Sequence, residues 1–170
     1  MNSRTPRFMG TLKRVEDEWI DYNGHFNMAY YAVPFDRTVA EIFDEIGVGE
    51  SYRRRTEHSF FTLAAQLNYL RELHAGDPLG MTFRMLDMDE KRVHFIMEMY
   101  HAEKMFRAAT MESLVIHIDM RIRRSAPMLP EAHGAFAGLM ERQKELPVPP
   151  EAGSRIGIRR KGGRDVRPPA

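Results

Sequence analysis

Asp21-Tyr22-Asn23-Gly24-His25-Phe26-Asn27, continuing as MAYYAVPFDRTVAEIFDEIG over residues 28–47, is the stretch whose reading decides the fold. Its first seven residues are dense in turn formers, and Asn27 is a good N-cap, so a loop hands over to a helix here. Apolar positions then recur at Met28, Tyr31, Ala32, Phe35, Val39, Ile42, Phe43 and Ile46, the three-and-four spacing of a helix with one buried stripe. Gly47 supplies the stop. Pro34 falls inside this helix, where it deletes the hydrogen bond to the Tyr30 carbonyl and predicts a bend in the first turns.

Outward from this stretch the period changes. Upstream, residues 9–20 mix apolar and charged positions loosely and suit a first strand. Downstream, after the polar stretch Glu50 to His58, alternation places Phe61, Leu63, Ala65, Leu67 and Tyr69 on one strand face and Thr62, Gln66 and Asn68 on the other. Gly76-Asp77-Pro78 turns the chain into a hairpin. Its arms carry Leu79, Met81, Phe83 and Met85, then Val93, Phe95, Met97 and Met99. Leu114, Ile116, Ile118 and Met120 repeat the pattern, and residues 131–145 read as a short helix. One strand, one long helix and a run of antiparallel strands cannot make a parallel βαβ array. The class is α+β, a sheet wrapped around one helix, over residues 1–146 with a Pro/Gly-rich basic tail at 147–170.

Composition narrows the function. The chain has 170 residues, 43% hydrophobic and 29% charged, with formal net charge +1, which fits one ordinary globular domain rather than a disordered chain or a nucleic-acid binder. It has no cysteine, which removes disulfides, thiolate catalysis and cysteine-ligated zinc, and makes reducing cytoplasm the expected location. No secretory h-region and no membrane-length apolar run is present, so no membrane partner is expected.

At residues 21–31 the wording DYNGHFNMAYY resembles the hotdog thioesterases of the 4-hydroxybenzoyl-CoA thioesterase type, whose loop before the central helix reads Asp, two residues, Gly, His, any, Asn. The likeness continues through NYLRELHAGDPL at residues 68–79 and onward to about residue 130. The phrases YYAVPFDR, RELHAGDPL and RRSAP look most like the betainyl-CoA thioesterases of carnitine breakdown. The resemblance implies an acyl-CoA thioesterase with the hotdog fold and no cofactor, acting as a dimer or tetramer with sites at subunit interfaces. An unpaired sheet edge in one protomer gives the same expectation on physical grounds.

Thioester hydrolysis needs a group to activate water or attack the carbonyl, and donors for the oxyanion that develops. By the resemblance, Asp21 is the general base or nucleophile, while free N–H groups at the helix start polarise the carbonyl. The plain alternative for Asp21 is an Asx turn. His25 is a second catalytic candidate, against an ordinary hydrogen-bonding role, and Asn27 acts through its cap. Asn23 is a candidate to hydrogen-bond the thioester or the attacking water, and Gly24 to touch substrate, against the plain alternative of an Asn-Gly turn. A betainyl group ends in a quaternary ammonium, which has no hydrogen to donate and suits aromatic faces. Phe26, Tyr30, Tyr31, Phe61 and Tyr69 are candidates to line its pocket, with Trp19, Tyr22 and Phe60 nearby. Arg71, Arg92 and Arg123 are candidates for the phosphates of coenzyme A. His117 and Asp119 share a strand face, but two ligands without a third make no metal site. The competing readings are another hotdog enzyme on CoA thioesters, such as a hydratase, a non-catalytic acyl or CoA binding module, and a nucleic-acid partner for the basic tail.

Overall fold

The computed structural model describes residues 6–158. In chain order the elements are β1 (Lys13–Arg14), 3-10 turns at Asp17–Trp19 and Met28–Tyr30, α1 (Ala32–Glu45), α2 (Glu50–Thr56), β2 (His58–Tyr69), β3 (Pro78–Met88), β4 (Arg92–His101), β5 (Arg107–Asp119), β6 (Arg124–Ser125) and α3 (Pro130–Gln143). The strands lie in the order β1-β3-β4-β5-β2, with every pair antiparallel, and β6 pairs with β5. The sheet curls around α1, whose Phe35 and Ile42 are fully buried against it, as the α+β hotdog reading requires. Phe43 of α1, Phe60 of β2 and Phe136 of α3 meet edge-to-face with ring centroids 5.2–5.7 Å apart, so α3 joins the same core. No helix among the described residues is long and apolar enough to cross a membrane.

Three expectations are corrected, and one stretch to which spacing assigned no element proves helical. The first strand shrinks to Lys13–Arg14 because Asp17–Trp19 coils into a 3-10 turn. The helix begins at Ala32 rather than Met28, so Pro34 occupies its first turn, where the missing N–H is no loss, and no interior bond is broken. The polar stretch after Gly49 forms α2: Asp44 Oδ1 accepts the Glu50 N–H at 2.7 Å, Arg54 reaches Glu50 at 2.5 Å, and Tyr52 is fully buried. In β2 the register shifts between Thr62 and Ala64, so the alternation breaks at Leu63. Phe60 and Thr62 therefore pair with inward-facing His117 and Val115, whereas Phe61 pairs with Ile116 on the outer face. Beyond the bulge Ala65 turns inward again, opposite Ser113.

The segment after α3 returns across the sheet. Gln66 donates to the Ser154 carbonyl at 2.9 Å and to its Oγ at 2.8 Å, Gly153 N–H donates to Glu112, and Arg107 pairs with Glu151. The basic run from Arg159 onward lies outside the described residues.

His117 and Asp119 have structural partners. His117 Nδ1 lies 3.0 Å from the Ala126 carbonyl, which can only accept, so Nε2 accepts from the Tyr52 hydroxyl at 2.8 Å. Asp119 is held by Arg121, with bonds of 3.0 and 2.6 Å, which lower its pKa far below the usual carboxylate range. Burial lowers the His117 pKa against the pull of the Ala126 carbonyl. The unfolded chain, whose histidine titrates at about 6.5, therefore binds a proton before the folded one does as pH falls, and stability drops below that value. The melting temperature is expected to fall between pH 7.5 and pH 5, and by less in His117→Gln. Equal slopes would rule out His117 as the cause.

Candidate active site

The loop ahead of α1 is closed on itself. Asp21 N–H donates to the His25 carbonyl at 3.0 Å, Gly24 N–H donates to the Asp21 carbonyl at 2.9 Å, and Ile20 bridges Phe26. Gly24 sits at φ +78°, which side-chain-bearing residues rarely adopt. Asp21 Oδ1 accepts the Asn23 N–H at 2.8 Å. The Asx turn is thus present, yet it occupies one oxygen and leaves Oδ2 without a partner among the described residues. Asn27 caps the 3-10 turn: its Oδ1 accepts from Ala29 N–H at 2.9 Å and its carbonyl from Tyr30 N–H at 3.0 Å. Between them the Met28 N–H has no acceptor among the described residues. It is an orphan donor at a helical start, the kind that can receive an oxyanion. General reasoning about helix starts anticipates such a donor, but only the structure singles out Met28.

Neighbouring elements hold the loop in place. Phe26 N–H donates to the Leu73 carbonyl at 3.0 Å, Asn27 N–H to the Trp19 carbonyl at 2.9 Å, and the Tyr69 hydroxyl to the Met28 carbonyl at 3.1 Å. Behind it Phe26 stacks between Trp19 and Tyr31, with centroids 5.6 and 4.0 Å away, and Tyr69 stands edge-on to Tyr31 at 5.0 Å. Burial, reinforced by Tyr69 and Glu72, pushes the Tyr31 phenol up to about 12. Phe26 and Tyr31 are therefore buried supports of the loop, while Tyr30 and Tyr69 keep 40% and 47% of their surface exposed. His25 Nε2 lies 3.5 Å from Glu72, and His25, Glu72 and His74 bring ligand-type atoms within 4.8 Å of one another. Those three side chains could hold a divalent cation; their reach across two loops is not visible in the sequence.

Beside the start of α1 opens a cavity of about 430 Å³, within the roughly 300–1,000 Å³ common for small-molecule sites. Ala32, Val33 and Val39 of α1 face Ala65, Met111 and Val115 of the sheet, with Phe95 as its one aromatic wall. Thr62 and Ser113 line it too, and the Ser113 Oγ is buried with no partner among the described residues. Phe61, a sequence candidate, lies on the opposite face because of the β2 bulge, and Thr62 takes its place. A second cleft, lined by Asp44, Glu50, Ser51, Arg54 and Arg55, has only exposed polar walls and stands apart from the loop.

The arginine candidates divide. Arg71 stands two residues before Leu73, whose carbonyl holds the loop at Phe26, and its guanidinium lies 4.0 Å from the centre of the Phe106 ring. Arg92 pairs with Ile116, whereas Tyr69 pairs with Ala109, so Arg92 stands roughly 20 Å further along the sheet. Its bond to Asp89 holds that carboxyl at about 2. Arg123 is more distant still, in the turn beyond Asp119 at φ 51°. Within one protomer, neither Arg92 nor Arg123 shares a site with Asp21.

Comparison with known proteins shows the family. Residues 15–136 match the model of the thioesterase-like superfamily. The betainyl-CoA thioesterase of Pseudomonas aeruginosa is 33% identical over 144 residues, covering 85% of this chain and 91% of that protein. An L-carnitine dehydrogenase/betainyl-CoA thioesterase of Rhizobium meliloti is 31% identical over 147 residues, and there the match spans 29% of the relative's length. Among solved structures, a Staphylococcus aureus protein in complex with CoA superposes with a TM-score of 0.83 at 26% identity, over 94% of this chain and all of that one. The chain belongs to the thioesterase-like superfamily and is a hotdog-fold thioesterase.

Proposed function

We propose that this thioesterase hydrolyses betainyl-CoA to the free acid and CoA, with Asp21 as general base or nucleophile and the Met28 N–H as oxyanion donor. The observation that carries the mechanism is that the loop from Asp21 to Asn27 bears a carboxylate with one oxygen free among the described residues and leads directly into a helical start whose Met28 N–H is free among them. As a base, Asp21 takes the proton of the attacking water; as a nucleophile, it forms a mixed anhydride that water then opens. In both, the carbonyl oxygen gains charge against Met28 N–H and the CoA thiolate leaves. His25, beside Asp21 in the loop hydrogen bonds, steadies the turn through its carbonyl, and Arg71 is the phosphate contact nearest the loop. The acyl group enters the cavity under α1. The substrate identity rests on the betainyl-CoA thioesterase relatives.

The test is thiol release from betainyl-, short-chain, long-chain and hydroxybenzoyl-CoA. Betainyl-CoA is expected to give the highest kcat/KM; a lead for another thioester replaces the substrate, and no release from any replaces hydrolysis with binding alone.

We further propose that the working unit is a dimer or tetramer. β2 is the outer strand of the sheet, twelve residues long, and exposes Leu63 at 54% and Phe61 at 38%. An unpaired strand of that length is a pairing surface, and a partner there also covers the open side of the cavity, which β2 helps to line. Gel filtration with light scattering is expected to give a dimer or tetramer at micromolar concentration; a monomer contradicts it.

A further inference from the structure

We infer that Asp36 is the residue that selects a positively charged acyl group, a reading that rests on the proposed betainyl-CoA activity and supplies its missing counter-charge. Quaternary ammonium has no N–H, so a protein can hold it only by methyl contact, by aromatic faces or by an opposite charge. The cavity offers the first freely, through Val33, Val39, Met111 and Val115, and the second sparingly, with Phe95 alone. Of the other candidate aromatics, Phe26 and Tyr31 are buried in the loop's supporting stack, Phe61 lies on the outer face, and the exposed Tyr30 and Tyr69 stand at the loop and do not line the cavity.

Charge is the remaining means, and among the described residues the charged side chains lining the cavity are Asp36 and Arg37. Arg37 is drawn away: its guanidinium bonds Glu16 Oε1 at 2.8 Å and lies 5.4 Å from the Trp19 ring centre. Asp36 has no hydrogen bond or ion pair among the described residues. The neighbouring cation is neutralised and the carboxylate is left free, which makes this wall of the cavity anionic. Asp36 stands one helical turn beyond Ala32 and Val33, on the same α1 that follows the Asp21 loop. A short acyl group whose carbonyl meets Met28 N–H would extend its cationic end toward that turn.

The test compares betainyl-CoA with 3,3-dimethylbutanoyl-CoA, which replaces the nitrogen by carbon and keeps the shape while removing the charge. In the native enzyme the ratio of their kcat/KM values is expected to exceed about ten, as one close charge pair commonly provides. In Asp36→Asn the ratio should fall about tenfold or more, mainly through KM for the cationic substrate; because a ratio is read, any loss common to both substrates cancels. In the native enzyme alone, the ratio should shrink as salt rises, since the carboxylate is exposed to solvent. A native preference for betainyl-CoA that survives both Asp36→Asn and high salt overturns the role of Asp36 while leaving the substrate in place. Equal use of the two thioesters by the native enzyme overturns charge selection altogether. An equal collapse of kcat on both substrates in Asp36→Asn overturns selectivity in favour of a part in the chemical step. If neither thioester is hydrolysed, the underlying activity fails, and this inference with it.

Discussion

Asp21→Asn is expected to lower kcat on the preferred thioester by about 10²- to 10⁴-fold, the range a positioned acid–base group contributes. The substitution is well matched to the local structure. Asp21 Oδ1 serves the loop by accepting the Asn23 N–H at 2.8 Å, and an amide oxygen accepts equally well. The Asx turn, the Gly24 geometry and the contacts to Leu73 and Trp19 should all survive, so the melting temperature should stay close to native. Only the negative charge is lost, and with it the ability to take a proton from water or to attack the carbonyl. KM should change little, because the cavity under α1 and the Met28 N–H are untouched. Residual hydrolysis then reports the oxyanion donor, a contribution of about 3–4 kcal/mol in comparable sites. A rate within tenfold of native at an unchanged melting temperature would reduce Asp21 to a turn former.

The largest loss of stability is expected from Gln143→Leu. β3 has β4 on one side; on the other, β1 covers only Pro78 and Leu79, and Met9 N–H reaches the Met81 carbonyl. Beyond that point the strand edge is closed by a side chain. Gln143, buried at the end of α3, donates to the Phe83 carbonyl at 2.8 Å and accepts from the Met85 N–H at 2.8 Å, as a neighbouring strand would. Leucine preserves volume but leaves two buried backbone groups unpaired, at about 1–3 kcal/mol each. For a chain of this size each kcal/mol lowers the melting temperature by roughly 2–4 °C, so a fall of about 5–20 °C is expected. Gln143→Glu keeps the acceptor and loses the donor, and should fall between. A change under about 2 °C for leucine would show that the edge is closed by other means.

Much of the fold is legible in residue spacing. The stripe from Phe35 to Ile46 and the strict alternation at 79–85 and 93–99 survive because α1, β3 and β4 each bury one well-defined face. Spacing fails where a tertiary partner decides. β5 is apolar on both faces, and only its pairing with β4, which puts Ser113 opposite Phe95 and Met111 opposite Met97, settles that the odd-numbered residues face α1. The single extra residue at Leu63 moves Phe61 out and Thr62 in, a change that no period-two pattern reveals. The role of Gln143 on the β3 edge depends on a partner 58–60 residues away and leaves no mark on local spacing.

The candidate site is legible to a similar depth. The Asp21 to Asn27 motif names the loop because turn chemistry and capping are local; the Asx turn and the Asn27 cap both form as local rules require. The cavity is not local. Asp36 and Ser113, far apart in sequence, meet there only when the sheet curls over α1. Arg92 and Arg123 match coenzyme A phosphates in chemical type, but the strand register carries them away from the loop of their own protomer.

The most direct test is a structure of Asp21→Asn with betainyl-CoA bound, a variant chosen so that substrate persists. The thioester carbonyl oxygen is expected about 3 Å from the Met28 nitrogen, with the substituted side chain beside the carbonyl carbon and the trimethylammonium group in the cavity under α1. A carbonyl held elsewhere, or an acyl group lodged outside that cavity, would contradict the assignment of this loop as the catalytic centre.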